Sequence, residues 1–296
     1  MTSPAPANVS DLVRDAAHRA GDKAAFLFRD TTLTWADVEA RVAAVAAGLV
    51  GLGAVPGDRV ALQLGNTPDF PLIYFGALRA GMVAVPVNTG YTRAELLHCL
   101  TDSGASVLVT IRSGADVALS IASELPTLHS VVVGDVDAAP EGASTLDALL
   151  ATDADGAPSQ GGGEDLAVVI YTSGTSGRPK GAMLTHRALL ANLEQCAQID
   201  PPVMAMDDVV LLVLPLFHIY GLNAALGAVA KHAATGVLSE RFDPVETLDQ
   251  IRRLGVTNVV GAPPMYVAWS MLPDVGDAFT SVRLALSGAA PLPSDV

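Results

Sequence analysis

Leu166-Ala-Val-Val-Ile-Tyr171 is an unbroken apolar run, and it passes directly into Thr172-Ser173-Gly174-Thr175-Ser176-Gly177-Arg178-Pro179-Lys180-Gly181. The run reads as a buried strand. The hydroxyl- and glycine-rich stretch after it reads as a loop that gathers phosphate oxygens. Glycines let backbone N–H groups approach an anion closely, Ser and Thr hydroxyls add donors, and Lys180 brings one compact positive charge. The loop is not a Walker A sequence. There the lysine is followed by Ser or Thr, whose hydroxyl reaches Mg²⁺, whereas Lys180 stands between Pro179 and Gly181. A GTPase-like reading therefore fails, and ATP is the candidate ligand. A flexible Ser/Gly connection is the plainer reading of the same composition, so the surroundings of the loop have to decide.

Outward from the loop, apolar runs alternate with helical patterns, the signature of βαβ units and a mainly parallel sheet. Before it, a helix over Asp11–Ala20 ends at Gly21, and Thr34 with Asp37 opens a helix running through Val50. Arg59–Leu64, Met82–Val87, Ser106–Thr110 and Ser130–Val133 read as strands, with helices near Pro68–Ala80 and Arg93–Ser103. The stretch 153–164, with Gly161-Gly162-Gly163, is poor in apolar residues and reads as a linker. The expected domains are therefore 1–160 and 161–296, the second carrying the phosphate-type loop.

After the loop a helix is expected over Thr185–Ala197, then a strand at 209–214, a helix at 221–233, and a strand at 235–238. A helix announced by Asp243-Pro244 follows, with strands at Thr257–Val260 and Arg283–Leu286. Four loops follow apolar strands: 172–181, 215–221, 261–265 and 287–291. All four are expected on one carboxyl edge of parallel strands, where ligands of open α/β sheets bind.

Asp and Glu outnumber Lys and Arg by 31 to 17, for a formal charge of −14. No basic stripe exists to neutralise phosphate backbones, so a nucleic-acid binder is excluded. Lysine occurs only at 23, 180 and 231, which gives weight to finding one inside the loop. Arg178, Lys180, His186 and Arg187 form a local basic group on an acidic background, suited to phosphates. For His186 and Arg187 a solvated first helical turn is an equal alternative. Cys99 and Cys196 have no metal-ligand spacing and read as small buried hydrophobes in a reducing compartment. Residues 1–10 lack a secretory pattern, which points to the cytoplasm. Val209–Ala230 has no charged residue, yet Pro215, His218, Gly221 and Asn223 interrupt it, so it reads as strand, turn and helix rather than a membrane span.

With these features assembled, the chain resembles the adenylate-forming superfamily of acyl-CoA synthetases, luciferases and peptide-synthetase adenylation domains. The resemblance extends over nearly the whole chain. Tyr171–Gly181 is similar to that family's phosphate loop, Pro215-Leu-Phe-His218-Ile-Tyr-Gly221 to its acyl-site motif, and Ser287-Gly288-Ala289-Ala290-Pro291 to its adenine-side strand and turn. Thr34-Trp35, Gly57-Asp58-Arg59-Val60 and Ala80 to Asn88 match more diffuse features. The fold implied is α/β: two stacked, doubly wound, mainly parallel sheets flanked by helices, short of the family's β-barrel and C-terminal domain.

The resemblance also implies chemistry. A carboxylate attacks the α-phosphate of Mg·ATP to give an acyl-adenylate and pyrophosphate, and the thiol of coenzyme A then displaces AMP. It places Thr172, Ser173, Gly174, Thr175, Ser176, Gly177 and Lys180 on the β- and γ-phosphates, and Gly288, Ala289 and Ala290 against adenine. His218 lies near the carboxylate and the thiol path, so His218 and Lys180 are the catalytic candidates. Gly261, Ala262 and Met265 line the acyl site, though each also suits ordinary packing. Amino-acid-activating relatives carry an aspartate in the acyl-site motif where this chain has Phe217 and His218, so a plain, aliphatic or fatty acid is expected. The chain ends at Pro293-Ser294-Asp295-Val296, before the family's magnesium-linked glutamate, ribose-binding aspartate, hinge and C-terminal lysine. It is therefore expected to be a portion of a synthetase, with little activity alone and a tendency to self-associate through uncovered apolar surface. A fatty acyl-AMP ligase and a non-catalytic nucleotide- or acyl-binding module are the alternatives.

Overall fold

The computed structural model describes residues 7–153, 159–172 and 179–292. These fall into two compact units. Unit 1 is Met1–Arg14, Val38–Leu64 and Asp69–Ala191, and unit 2 is Asp15–Asp37, Gly65–Pro68 and Asn192–Val296. The strands in chain order are β1 Ala24–Phe28, β2 Thr31–Thr34, β3 Arg59–Leu62, β4 Val83–Pro86, β5 Val107–Ile111, β6 Ser130–Gly134, β7 Ser144–Thr145, β8 Leu166–Thr172, β9 Lys180–Thr185, β10 Val209–Leu212, β11 Thr235–Leu238, β12 Asn258–Gly261 and β13 Leu284–Ser287. The helices are α1 Asp11–Ala20, α2 Trp35–Gly51, α3 Asp69–Arg79, α4 Arg93–Ser103, α5 Ala115–Ala122, α6 Leu146–Leu150, α7 His186–Ala197, α8 Ala228–His232, α9 Pro244–Leu254 and α10 Pro263–Ser270, with a π-helix over Tyr220–Gly227.

Unit 1 holds a seven-stranded sheet in the order β7-β6-β5-β3-β4-β8-β9, parallel throughout except for the antiparallel β8–β9 pair. One face of it, with Ala61, Val85, Leu108, Val133 and Val169, packs on Leu96, Cys99 and Leu100 of α4 and Ala118 and Ile121 of α5. Burying side chains of this size stabilises by about 1.5–3 kcal/mol each. Local chemistry sets the helix ends. Thr92 and Glu95 form a reciprocal capping box at the start of α4, and left-handed Gly104 closes it. Burial, with help from Asp102 and Glu95, pushes the Cys99 thiol up to about 12, which fits an inert packing role.

Unit 2 holds a six-stranded sheet in the order β13-β12-β10-β11-β1-β2, again parallel except for one hairpin, β1–β2. At its amino edge sits Asp208, only 2% exposed. Burial alone raises its pKa. Hydrogen bonds from Arg283, Thr257 and the Ala205 amide outweigh that and hold it below the ordinary carboxylate value. Because Thr257 Oγ1 also accepts from the Val209 amide at 2.9 Å, the same network ties the starts of β10, β12 and β13 together.

Several expectations are corrected. β8 and β9, beyond the expected boundary at residue 160, pair into the sheet of the first half, while β1 and β2 pair into that of the second. No strand is expected from the sequence over β9, which begins in the loop at 172–181 and runs through residues given no element to Thr185. Its exposed, weakly apolar residues carry no strand signal of their own, and its pairing with β8 makes it a strand. β1, β2, β7 and α6 were likewise unforeseen. Loop 261–265 becomes α10 from Pro263, since proline at the first helical position is already set for the helix. The expected helix 221–233 is a π-helix followed by α8. Among the described residues no helix is long and apolar enough to cross a membrane.

His186 is not a solvated residue. It is 2% exposed, and its Nδ1 accepts from the Val9 amide at 3.0 Å, which anchors the amino-terminal segment. Desolvation lowers its pKa to about 4 against opposing Asp165 and Asp11. The unfolded chain binds a proton below about pH 6.5 that the folded chain refuses until about pH 4. Unit 1 should therefore lose up to roughly 3 kcal/mol as the pH falls across that window. Calorimetric Tm against pH will show this slope, and His186→Gln should flatten it. An unchanged slope in the variant would refute the assignment.

Arg79, 3% exposed, donates to Glu39 Oε1 at 2.6 Å and Oε2 at 2.7 Å, and to the Ser10 carbonyl at 3.3 Å. Glu39→Ala leaves that guanidinium buried without its carboxylate. It should cost about 3–5 kcal/mol in denaturant titration, against less than about 1 kcal/mol for an ordinary surface pair.

Candidate functional site

Unit 1 contributes the hairpin that carries the phosphate-type loop. Thr172 ends β8 and Lys180 begins β9, directly opposite each other in register, and both are exposed. Ser173, Gly174, Thr175, Ser176 and Gly177 lie outside the described residues. α4 braces both stems of the hairpin. The Tyr171 hydroxyl donates to Asp102 at 2.7 Å, and His98 Nε2 donates to the Pro179 carbonyl at 3.1 Å. Burial, then the bond to Asp102, raises the pKa of Tyr171, which stays a neutral donor. Neither His98 nor Asp102 was singled out in the sequence, where they are two polar positions of an amphipathic helix.

Of the basic group, Arg178 lies outside the described residues, and Lys180, His186 and Arg187 do not form one patch. β9 runs antiparallel to β8 and puts Thr185 opposite Leu166, so His186 and Arg187 lie a strand's length, roughly 17 Å, from Lys180. Arg187 pairs with Glu164 instead. The four loops likewise do not share one sheet. The loop at 172–181 belongs to the sheet of unit 1, and the other three belong to unit 2.

In unit 2 the loops after β10, β12 and β13 do share one carboxyl edge, because the three strands are parallel neighbours. Past β10 the chain runs through Pro215, exposed, and Leu216, buried, to His218, exposed. The His218 amide donates to the Pro215 carbonyl at 3.0 Å, and the Tyr220 amide donates to His218 Nδ1 at 3.3 Å. With Nδ1 accepting, neutral His218 carries its proton on Nε2. Gly221 is required here, since a Cβ would sit 2.4 Å from the Pro215 carbonyl oxygen. The π-helix that starts at Tyr220 is a rare geometry, found often at functional sites.

β12 ends at Gly261, opposite Ser287 of β13. The Tyr266 ring lies over Gly261, and its hydroxyl donates to the Leu286 carbonyl at 2.6 Å. The Trp269 ring packs against Tyr266 at 5.6 Å between centroids, edge to face. Met265, buried in the first turn of α10, folds its sulfur back to 3.4 Å from the Ala262 amide. Gly288 donates to the Gly261 carbonyl at 3.1 Å. A Cβ on Gly288 would lie 2.6 Å from Cζ of Tyr220, so that ring rests directly on its backbone. Ala289 follows at φ +71°, a conformation strained for a non-glycine residue and common at ligand sites.

The structure thus gathers His218, Gly261, Ala262, Met265, Gly288, Ala289 and Ala290 along one edge of unit 2, with Tyr220 and Tyr266 between them. Thr172 and Lys180 stand together on unit 1. Sequence reasoning quoted Tyr220 only as part of a motif and passed over Asn66, whose lone amide in a Gly-Asn-Thr-Pro turn gives no sign of its partners.

Residues 13–296 match the family described as AMP-binding enzyme. Among curated proteins, 4-coumarate–CoA ligase 3 of Oryza sativa subsp. japonica is 35% identical over 266 residues, 89% of this chain and 47% of that protein. The long-chain-fatty-acid–CoA ligase of Bacillus subtilis (strain 168) is 32% identical over 318 residues, 97% of this chain and 56% of its own. Apo MatB from Rhodopseudomonas palustris superposes with a TM-score of 0.85 at 30% identity, over 98% of this chain and 56% of that one. The chain spans about half the length of the curated relatives it matches. A match over residues 13–296, on a chain of two mainly parallel sheets, has one consequence: this chain belongs to the AMP-binding enzyme family.

Proposed function

We propose that the protein to which these residues belong activates a carboxylic acid with Mg·ATP and passes the acyl group to the thiol of coenzyme A. The observation that supports this most directly is the carboxyl edge of unit 2, where exposed His218 accepts from the Tyr220 amide and the Tyr220 ring rests on the Gly288 backbone. In this reading a carboxylate oxygen attacks the α-phosphorus and the bond to pyrophosphate breaks. The thiol sulfur then attacks the acyl carbon, AMP leaves, and the thiol proton passes to solvent. The protein's part is positioning and charge stabilisation. Thr172, Ser173, Gly174, Thr175, Ser176, Gly177 and Lys180 hold the β- and γ-phosphates, and Gly288, Ala289 and Ala290 bear on adenine. His218 stands beside the carboxylate, and Gly261, Ala262 and Met265 line the acyl site.

Among the described residues no group of three or more His, Cys, Asp or Glu side chains is placed to hold a metal ion. Mg²⁺ fits this site as a companion of the nucleotide, held mainly by phosphate oxygens and water. Pro215–Gly221 contains no carboxylate to pair with an α-amino group, which supports a plain acid, aliphatic or fatty. The Bacillus relative is named for long-chain fatty acids. An aryl acid is the second reading, favoured by the rice relative's name and by the Tyr266–Trp269 pair behind Gly261. Acid-dependent ATP–pyrophosphate exchange with matched panels of fatty and aryl acids separates them. Exchange with neither panel, or with amino acids only, would overturn the proposal.

Lys180→Ala should raise the Kd for Mg·ATP by roughly 10- to 150-fold, the loss of a charge-assisted bond of about 1.5–3 kcal/mol, and leave binding of the acid unchanged. Calorimetric titration with each ligand measures this, and equal loss for both counts against a phosphate role. Gly288→Val drives a side chain into the Tyr220 ring and should cut ATP–pyrophosphate exchange at least about tenfold. Combined with Tyr220→Ala it should recover ATP binding. Failure of the double variant to recover would place the fault elsewhere.

A further inference from the structure

Asn66 is buried in unit 2, with both faces of its amide spent on one short segment of backbone. Its Nδ2 donates to the Leu212 carbonyl at 3.0 Å and to the Leu214 carbonyl at 2.9 Å, while its Oδ1 accepts from the Leu216 amide at 3.1 Å. β10 ends at Leu212, whose carbonyl still accepts from the Ser239 amide; beyond it the ladder stops, and buried carbonyls and amides left unpaired are costly. Asn66 meets that need at Leu214 and Leu216 and adds a second bond at Leu212, tying the chain beyond the sheet to one side chain. The next peptide is Pro215, whose carbonyl receives the His218 amide, and His218 Nδ1 in turn receives the Tyr220 amide. The Leu212 carbonyl also accepts from the Ser239 amide at 3.2 Å, so the bonds that Asn66 adds beyond the sheet are those to Leu214 and Leu216.

We infer that Asn66 is the positioning residue for His218: its amide clamps Leu212–Leu216 and thereby fixes the turn that presents His218 and starts the π-helix at Tyr220. An amide is the side chain that does this, because it offers two donors and an acceptor in one plane. Aspartate has the same shape and faces two carbonyl oxygens with no proton to give. Alanine takes this partner from the Leu214 carbonyl and the Leu216 amide, while the Leu212 carbonyl keeps the Ser239 amide. The inference about geometry stands by itself, and its catalytic consequence rests on the proposed acid activation.

The experiment is amide hydrogen exchange on the full chain as wild type, Asn66→Ala and Asn66→Asp, with ATP–pyrophosphate exchange run beside it. The expected result is exchange at Leu216, His218 and Tyr220 at least about tenfold faster in both variants, with Val237 of β11 unchanged. Acceleration at Leu216 alone, or a uniform rise through unit 2, overturns the positioning role. If Asn66→Ala does not fold, the isosteric Asn66→Asp decides by the same pattern. In the catalytic arm, Asn66→Asp should lower the rate of acid-dependent exchange by about 10²-fold, the scale of a misplaced reacting group, with the Kd for ATP unchanged. An unaltered rate overturns the catalytic consequence. A wild type without acid-dependent exchange refutes the proposed function and leaves the hydrogen-exchange arm to judge Asn66.

Discussion

The nearly dry carboxylate of Asp208 is the interaction on which the second unit depends. Water is almost absent there, and an ionised group survives only because Arg283, Thr257 and the Ala205 amide all donate to it. Those donors come from the starts of different strands, so solvating one charge also fixes the registry of β10, β12 and β13. Removing one partner would strand the charge and loosen the register together.

Registry fixed at the amino edge determines what meets at the carboxyl edge. Gly261 lies opposite Ser287 because Asn258 lies opposite Leu284. From that pairing follow the Gly288 amide on the Gly261 carbonyl and the Tyr266 hydroxyl on Leu286. The side chains at this edge are few and mostly small, so backbone shape does much of the work. Tyr220 rests on Gly288, and Gly221 clears the Pro215 carbonyl. Unit 1 follows a similar scheme with different parts: α4 packs its apolar face on the sheet and uses two polar positions, His98 and Asp102, to hold the stems of the β8–β9 hairpin.

Features whose cause is local were legible in the sequence. Asp243 and Pro244 start α9, and Thr34 and Asp37 bond each other at the start of α2, each as their spacing suggests. Apolar runs such as Val107–Ile111 and Thr235–Leu238 form strands near their expected limits. The quoted loops also carried enough pattern to bring His218, Gly261 and Gly288 into one set of strand ends. What failed to show was pairing. β9 is polar and exposed and is a strand only because β8 lies beside it. β1 and β2 look like a short irregular stretch until their place at the end of the unit 2 sheet is known. His186 resembled a surface cation close to the loop, yet it is a buried acceptor for Val9.

By itself the sequence determined the class of fold and the membership of the family. These follow from periodicity, capping chemistry and the glycine-rich loops, all of which act within a few residues. Tertiary structure decided which sheet each strand joins, that His186 and Arg187 lie away from Lys180, and that Asn66 bonds the backbone leading to His218. Those outcomes depend on contacts between residues far apart in the chain, such as Asn66 with Leu214 and Asp208 with Arg283. Nothing in local propensity encodes them, because the free energy that fixes them appears only when buried polar groups meet their partners.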